Sequence, residues 1–371
     1  MYIQKLTLTN FKNFEEASIA LHPKLNCFVG NNGEGKTNLL DAIYYLCMCK
    51  SYFNNTDLYS IRYSEDFMLL QAEFSRNNKS EELNCGLHRS KKKHFRRNNK
   101  EYTKLSDHIG LFPIVMVSPV DSELITGGSE ERRKYINSVI SQYDRNYLDV
   151  NIRYNKILAQ RNRLLKAKGE TASMSELLDI FDEQLIGLCN EIYKVRKNFI
   201  EKFTPVFNHY YQFISSGNEQ VELIYQSQLN DGDFKDIIRN AREKDLLLQY
   251  TTTGIHKDDL ILNLNGTHIK LTGSQGQQKT YLVSLKLAQF EFLKEVNKIL
   301  PLLLLDDIFD KFDASRVRQI LKLVGDKSFG QIFITHTNLE RMNIILKELD
   351  IDHKLFLVED RKVEEREEIA I

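Results

Sequence analysis

The chain has 371 residues, with 51 acidic and 51 basic side chains and a formal net charge of zero. That length can bury more than one core, while the charge balance excludes a general field that would draw in a polyanion, so any nucleic-acid contact has to come from local patches. Five cysteines with no paired CxxC spacing read as reduced thiols and not as a disulfide scaffold or zinc site, and with no secretory-type opening and no apolar run of ~18 residues a soluble, cytoplasmic chain without a membrane partner is expected.

In chain order, "LNCFV" (25–29) predicts a strand, and "GNNGEGKT" (30–37) follows it and fits G-x-x-x-x-G-K-[ST] in full. Leu39, Leu40, Ile43 and Leu46 then recur at helical spacing. Glycines let successive backbone N–H groups face inward, and a helix start adds unpaired donors and a positive dipole end. The segment Gly30, Asn31, Asn32, Gly33, Glu34, Gly35, with Lys36, Thr37 and Asn38 at the helix mouth, is expected to cradle a nucleoside triphosphate. Lys36 would reach the outer phosphates, and the Thr37 hydroxyl would ligate Mg2+.

β-structure is predicted beside this site at "LLQAEFS" (69–75), "ELNCGLHRS" (82–90) and "FPIVMVSP" (112–119). The basic run Arg89, Lys91, Lys92, Lys93, His94, Arg96, Arg97 lies in or beside a hairpin there, with Tyr102 as a possible stacking surface. It reads either as a solvated face or as a DNA contact. Ile136, Ile140, Tyr143, Tyr147, Val150, Tyr154, Ile157 and Leu164 keep a four-three rhythm, broken at Arg161, and Leu178 to Phe199 repeat it after the polar turn "KAKGETAS". Ser173 and Glu176 supply a capping box for the second helix, so an antiparallel helical hairpin is expected. Thr204-Pro205 should bend the chain, and "QVELIYQ" (220–226) predicts a strand.

In "LTGSQGQQKTYLVSLKLAQFEFLKEV", Ser274, Gly276 and Gln277 open a long helical pattern, a second helix start suited to an anion. One chain rarely needs two cradles for one phosphate group, but a dimer does if the second serves the nucleotide of the other subunit. In "ILPLLLLDDIFDKFD" (299–313), Leu302 to Leu305 read as a fully buried parallel strand, ending in Asp306 for the metal and Asp307 to polarise the attacking water. A last strand, "QIFITHT" (331–337), brings His336 to the same sheet edge, to sense the terminal phosphate or to sit on the surface. The expected division is 1–120, an ATPase part with a β-subdomain; 121–245, an inserted helical subdomain; and 246–371, the remaining ATPase part.

The ordered set "GNNGEGKT", "GSQGQ", "LLLLDD", "FDKFD" and "THT" resembles the motif series of ABC-type ATPase heads. With "LTNFKNF", "VSPVDSELITGGSEERRKYIN", "GIHKDDL" and "GSQGQQKT", the whole chain is similar to the RecF family, relatives of SMC heads. That resemblance implies an α/β fold, an ABC-type P-loop ATPase head carrying the helical hairpin as an insertion. It also implies a weak, DNA-dependent ATPase used as a switch, with ATP and Mg2+ as ligands. Two nucleotides would lie between the subunits of an ATP-dependent homodimer, with Ser274, Gly276 and Gln277 closing over the partner's γ-phosphate. The family further implies binding to gapped or single-strand/duplex junction DNA, cooperation with RecR and promotion of RecA loading. Asp307 stands where ABC ATPases usually carry glutamate, which implies slow hydrolysis, and Asp121 is the substitute for a missing Q-loop glutamine. The competing readings are a transporter's nucleotide-binding subunit, a small-molecule phosphotransferase and an SMC-like structural protein.

Overall fold

The computed structural model describes residues 1–167, 172–215, 217, 219–308, 329–349 and 351–366. The expected "FDKFD" segment and part of the predicted polar turn lie outside these residues. Two units form, one from Met1–Asp121 with Val283–Ile371 and the other from Ser122–Leu282.

In the first unit, β1 (Tyr2–Phe11), β2 (Phe14–Ala20), β4 (Phe67–Arg76), β5 (Lys79–His88), β6 (His94–Arg97) and β7 (Lys100–Glu101) form an antiparallel sheet ordered β2-β1-β4-β5-β6-β7. Burial alternates along it, so Leu70, Ala72 and Phe74 of β4 and Leu83, Cys85 and Leu87 of β5 share one apolar face. A second sheet runs β15 (Lys362–Arg366), β14 (His353–Glu359), β3 (Leu25–Val29), β13 (Ile332–His336), β12 (Leu302–Leu305), β8 (Ile114–Val117). It is parallel from β14 to β8, and its middle strands are buried along their whole length, which explains the wholly apolar sequences of β12 and β8 and the mostly apolar ones of β3 and β13. Helix α1 (Lys36–Met48) packs on β1, β4 and β5 of one sheet and on β8 and β13 of the other. Every residue from Leu39 to Met48 is buried, as a helix covered on both faces requires.

In the second unit the expected hairpin is present as α3 (Arg145–Leu165) packed on α4 (Ala172–Ser215). One detail differs from expectation. The rhythm beginning at Ile136 belongs to two helices, because α2 (Ser129–Ile140) ends before Asp144, whose carboxylate accepts from Tyr147 N at 2.8 Å and caps α3. Helix α4 contains Pro205, where a bend is predicted; Thr204 Oγ1 donates to Ile200 O at 2.7 Å in the turn that the proline disturbs.

The break at Arg161 is an ionic cluster. Arg161 is fully buried and donates to Asp182 (2.6 Å), Asp245 (2.7 Å) and Thr251 (2.9 Å). A second buried arginine, Arg196, donates to Asp258 (2.7 Å), Ile255 O (2.8 Å) and Tyr147 (3.0 Å). The phrase "GIHKDDL" thus leads into β10 (Asp259–Leu264), which pairs antiparallel with β9 (Val221–Gln226). This pairing keeps residues 246–282 with the second unit, so the boundary lies at 282/283 and not at the expected 245/246. Helix α5 (Gln275–Asn297) spans that boundary, and α6 (Leu339–Leu349) follows β13. No described helix is long and apolar enough to cross a membrane.

Candidate nucleotide site

The loop between β3 and α1 turns through left-handed glycines, Gly33 at φ 89° and Gly35 at φ 112°. A side chain at Gly35 would place its Cβ 2.5 Å from Asn13 Nδ2, because Asn13 lies against the loop. Asn13 Nδ2 donates to Glu34 O at 2.8 Å, and its Oδ1 accepts from Asn38 Nδ2 at 2.7 Å, bracing the loop and the first turn of α1 together. Lys36 is 4% exposed, and its ammonium donates to Gly30 O (2.8 Å) and Asn31 O (2.9 Å). Among the described residues no carboxylate pairs with it. A buried cation with only carbonyl partners, beside a loop of exposed amide-bearing residues 31–33, is a site that an anion would complete.

The parallel register assembles the acidic side. Leu305 pairs with Val117 on one flank and Ile334 on the other, so Asp306 emerges between Ser118 and Thr335. Asp306 Oδ1 accepts from Thr37 Oγ1 and Thr335 Oγ1, each at 2.9 Å, and Oδ2 accepts from Ser118 Oγ at 3.2 Å. Burial pushes the Asp306 carboxyl above its usual range, against the pull of these hydroxyls. Asp307 takes a left-handed backbone, φ 46°, with its N–H donating to Thr335 Oγ1 at 2.9 Å; its Oδ1 is buried without a hydrogen-bond partner among the described residues.

These donors fit Mg2+, which takes hard oxygen ligands and shares its shell with water and phosphate. The Thr37 hydroxyl and the Asp306 carboxylate already touch across 2.9 Å, and Asp307 offers an unsatisfied oxygen alongside. His336 is fully buried on β13 and so is not a surface histidine; its carbonyl accepts from Gly30 N at 3.3 Å, directly beneath the loop.

Ser274, Gly276 and Gln277 stand at the start of α5, with Ser274 exposed. Gln277 N donates to Ser274 Oγ (3.2 Å) and Ser274 N to Gln277 Oε1 (2.7 Å), a capping box legible as S-x-x-Q. Gln277 Nε2 further donates to Glu219 at 2.6 Å.

Part of the basic run is paired with acids. Lys93 is turned inward onto Asp57 (2.7 Å) and Cys49 O (2.6 Å), Arg97 pairs with Glu81 (2.7 Å), and His94 meets Glu101 (2.6 Å). Lys91 and Lys92 remain exposed. Tyr102 is not an open stacking surface, since its ring lies against Phe95 and His108. Asp121, expected in place of the Q-loop glutamine, is buried and paired with Lys286 at 2.7 Å.

Comparison with known proteins follows the same pattern. The family model of the RecF/RecN/SMC N terminal domain matches residues 2–354. The chain is 50% identical over 372 residues to the DNA replication and repair protein RecF of Phocaeicola vulgatus, covering 100% of both. It is 44% identical over 365 residues to the RecF of Porphyromonas gingivalis, covering 98% of this chain and 100% of that one. Among solved structures it is similar to the recombination mediator protein RecF-ATPrS of the RecFOR pathway, with a TM-score of 0.87 and 30% identity over 98% of each chain. An Smc head bound to the C-winged helix domain of ScpA shares the fold alone, with a TM-score of 0.59 at 15% identity over 99% of this chain and 97% of that one.

Proposed function

This chain belongs to the RecF/RecN/SMC family, as one of its RecF members, and from that premise we propose that it is an ATP-dependent DNA-binding protein of recombinational repair and replication-fork maintenance. The observation that carries the reading is Lys36, a buried ammonium at a glycine cradle, set one residue before the hydroxyl that touches Asp306. The ATP-bound RecF to which the chain is similar supports the same ligand here.

The amides of residues 30–35 and the Lys36 ammonium hold the phosphates, and Asn13 and Asn38 keep that loop in shape. Thr37 and Asp306 hold Mg2+, which when bound supplies positive charge against the phosphate oxygens. Asp307 orients the attacking water, and as a carboxylate one methylene shorter than glutamate it does so inefficiently, which keeps hydrolysis slow. His336 lies beneath the loop to sense the terminal phosphate.

Ser274, Gly276 and Gln277 of a second copy close over the γ-phosphate, the exposed Ser274 hydroxyl and the first amides of α5 exchanging their internal bonds for the anion. Each triphosphate then contacts both subunits, so ATP favours the closed homodimer by mass action and hydrolysis releases it. Closure orders a surface for gapped or junction DNA, from which the protein cooperates with RecR in RecA loading.

DNA affinity measured with ATP, with ADP and without nucleotide across a salt series tests this function. An ATP requirement with a steep salt slope and no sequence preference is expected. Affinity blind to nucleotide would contradict it.

A further inference from the structure

Asp306 Oδ1 is held by two hydroxyls, but among the described residues Ser118 Oγ is the one hydrogen-bond donor to Oδ2, at 3.2 Å. The orientation of the carboxylate plane therefore depends on where Ser118 stands. Ser118 follows β8, and its backbone N–H donates to Asp121 Oδ2 at 2.8 Å, while Asp121 N donates back to Ser118 O at 3.0 Å. The turn 118–121 is thus closed on its own carboxylate. The other oxygen of that carboxylate, Oδ1, receives the Lys286 ammonium at 2.7 Å and the Tyr52 hydroxyl.

Lys286 also donates to the Tyr52 hydroxyl at 2.9 Å, and both ends of the ion pair are buried, Lys286 to 4% and Asp121 to 6% exposure. Tyr52 is itself anchored to α1, its N–H donating to Asp41 Oδ1 at 2.6 Å. Burying an ammonium and a carboxylate costs desolvation that a pair of well-packed apolar residues would avoid. An arrangement of that cost, joined to a metal-ligand carboxylate through Ser118 by two hydrogen bonds, suits a fixed support for it.

We propose that Lys286 is a positioning residue for the metal site: by holding Asp121 it sets the turn from which Ser118 orients Asp306. The proposal rests on the reading of Asp306 as the Mg2+ carboxylate. It gives Asp121 a role apart from ligand contact, since its carboxylate is occupied by Lys286, Tyr52 and Ser118 N.

The test uses the full chain loaded with ADP, with Mn2+ as the metal probe read by electron paramagnetic resonance, alongside ADP affinity without metal. Ser118→Ala is expected to weaken Mn2+ binding about 10-fold, the lower end of the usual loss for a support one shell out from a metal, and Lys286→Met, which acts through Asp121 and Ser118, by no more than that. Metal-free ADP affinity should stay at the wild-type value, and Lys286→Arg should recover most of the Mn2+ affinity. The double variant should be no worse than Ser118→Ala alone, because both act through one chain of contacts.

Wild-type Mn2+ affinity in Lys286→Met, or losses that multiply in the double variant, would overturn the proposal. If Lys286→Met fails to fold, Ser118→Ala decides alone, and undiminished Mn2+ affinity there overturns it equally. A wild-type chain that binds no Mn2+ with nucleotide would instead contradict the nucleotide-site reading beneath.

Discussion

Lys36 holds its charge against two carbonyl oxygens, and exchanging those partners for phosphate gains charge-assisted bonds in a nearly water-free place. Lys36→Ala should therefore lose about 3 kcal/mol of nucleotide binding, ~100-fold in affinity, as read by calorimetry. Retention within about 3-fold would remove the lysine from the phosphate contact. Gly35→Ala meets two obstacles, a φ of 112° and a Cβ 2.5 Å from Asn13. It should cost about 1–3 kcal/mol in urea unfolding and loosen nucleotide binding as well. At this scale the sequence displayed the groups whose type and spacing form a motif: Lys36, Thr37, Asp306. Asn13, Ser118 and Thr335 lie inside the phrases that carry the family resemblance, but their contacts are not legible there, because a lone amide or hydroxyl carries no periodicity and acquires a partner only once the chain is folded. The S-x-x-Q signal at Ser274 and Gln277 was present and was passed over.

Among the elements, β3 and β12 were legible to the residue, since strands buried on both faces advertise themselves as apolar runs. The break between α2 and α3 was not, because Asp144 interrupts the helix with a polar cap that leaves the hydrophobic rhythm intact. Pro205 lies inside α4, so the helix continues past the proline at which the sequence suggests a bend, as packing of a long helix can offset one missing hydrogen bond. The basic run reads from sequence as a solvated face or a DNA contact, and the acids that pair with part of it, Asp57, Glu81 and Glu101, are brought up by other elements and so cannot be read beside it.

The start of α5 allows two effects to be separated. Ser274→Ala removes a helix cap worth about 1 kcal/mol, a small stability loss. It should leave nucleotide binding intact and prevent ATP-dependent closure, seen as normal calorimetric affinity with no change of mass in solution. A pH effect belongs to this scale too. Burial lowers His108 and His256 from 6.5 to about 4. Their folded forms resist protonation, so the stability they contribute is full above 6.5 and is lost as pH falls toward about 4. The urea midpoint should drop between pH 7 and pH 5, and His108→Asn should make that drop smaller; an equal drop would mean that the imidazole protonates freely in the folded chain.

For the whole molecule, the family was readable because its phrases span the sequence, yet much of what they encode is architecture. "GIHKDDL" contributes Asp258 and Asp259, which pair with Arg196 of α4 and Arg132 of α2 and fasten two helices to β10. The chain divides into units at 121/122 and 282/283 where the sequence suggests 120/121 and 245/246, and the antiparallel pairing between β9 and β10 that lies between the two second boundaries leaves no mark that composition can display. An acidic-basic balance that excludes a general field also means that, on the function proposed above, DNA would be held by local patches, and the proposed dimer would bring two sets of them together.

Sedimentation velocity of the purified chain with ATP, with ADP and without nucleotide, run beside Ser274→Ala, bears on that assembly most directly. The expected result is a shift to twice the monomer mass with ATP alone, absent in Ser274→Ala. A wild-type chain that binds ATP and stays monomeric, or a Ser274→Ala chain that doubles in mass like wild type, would contradict the shared nucleotide pocket.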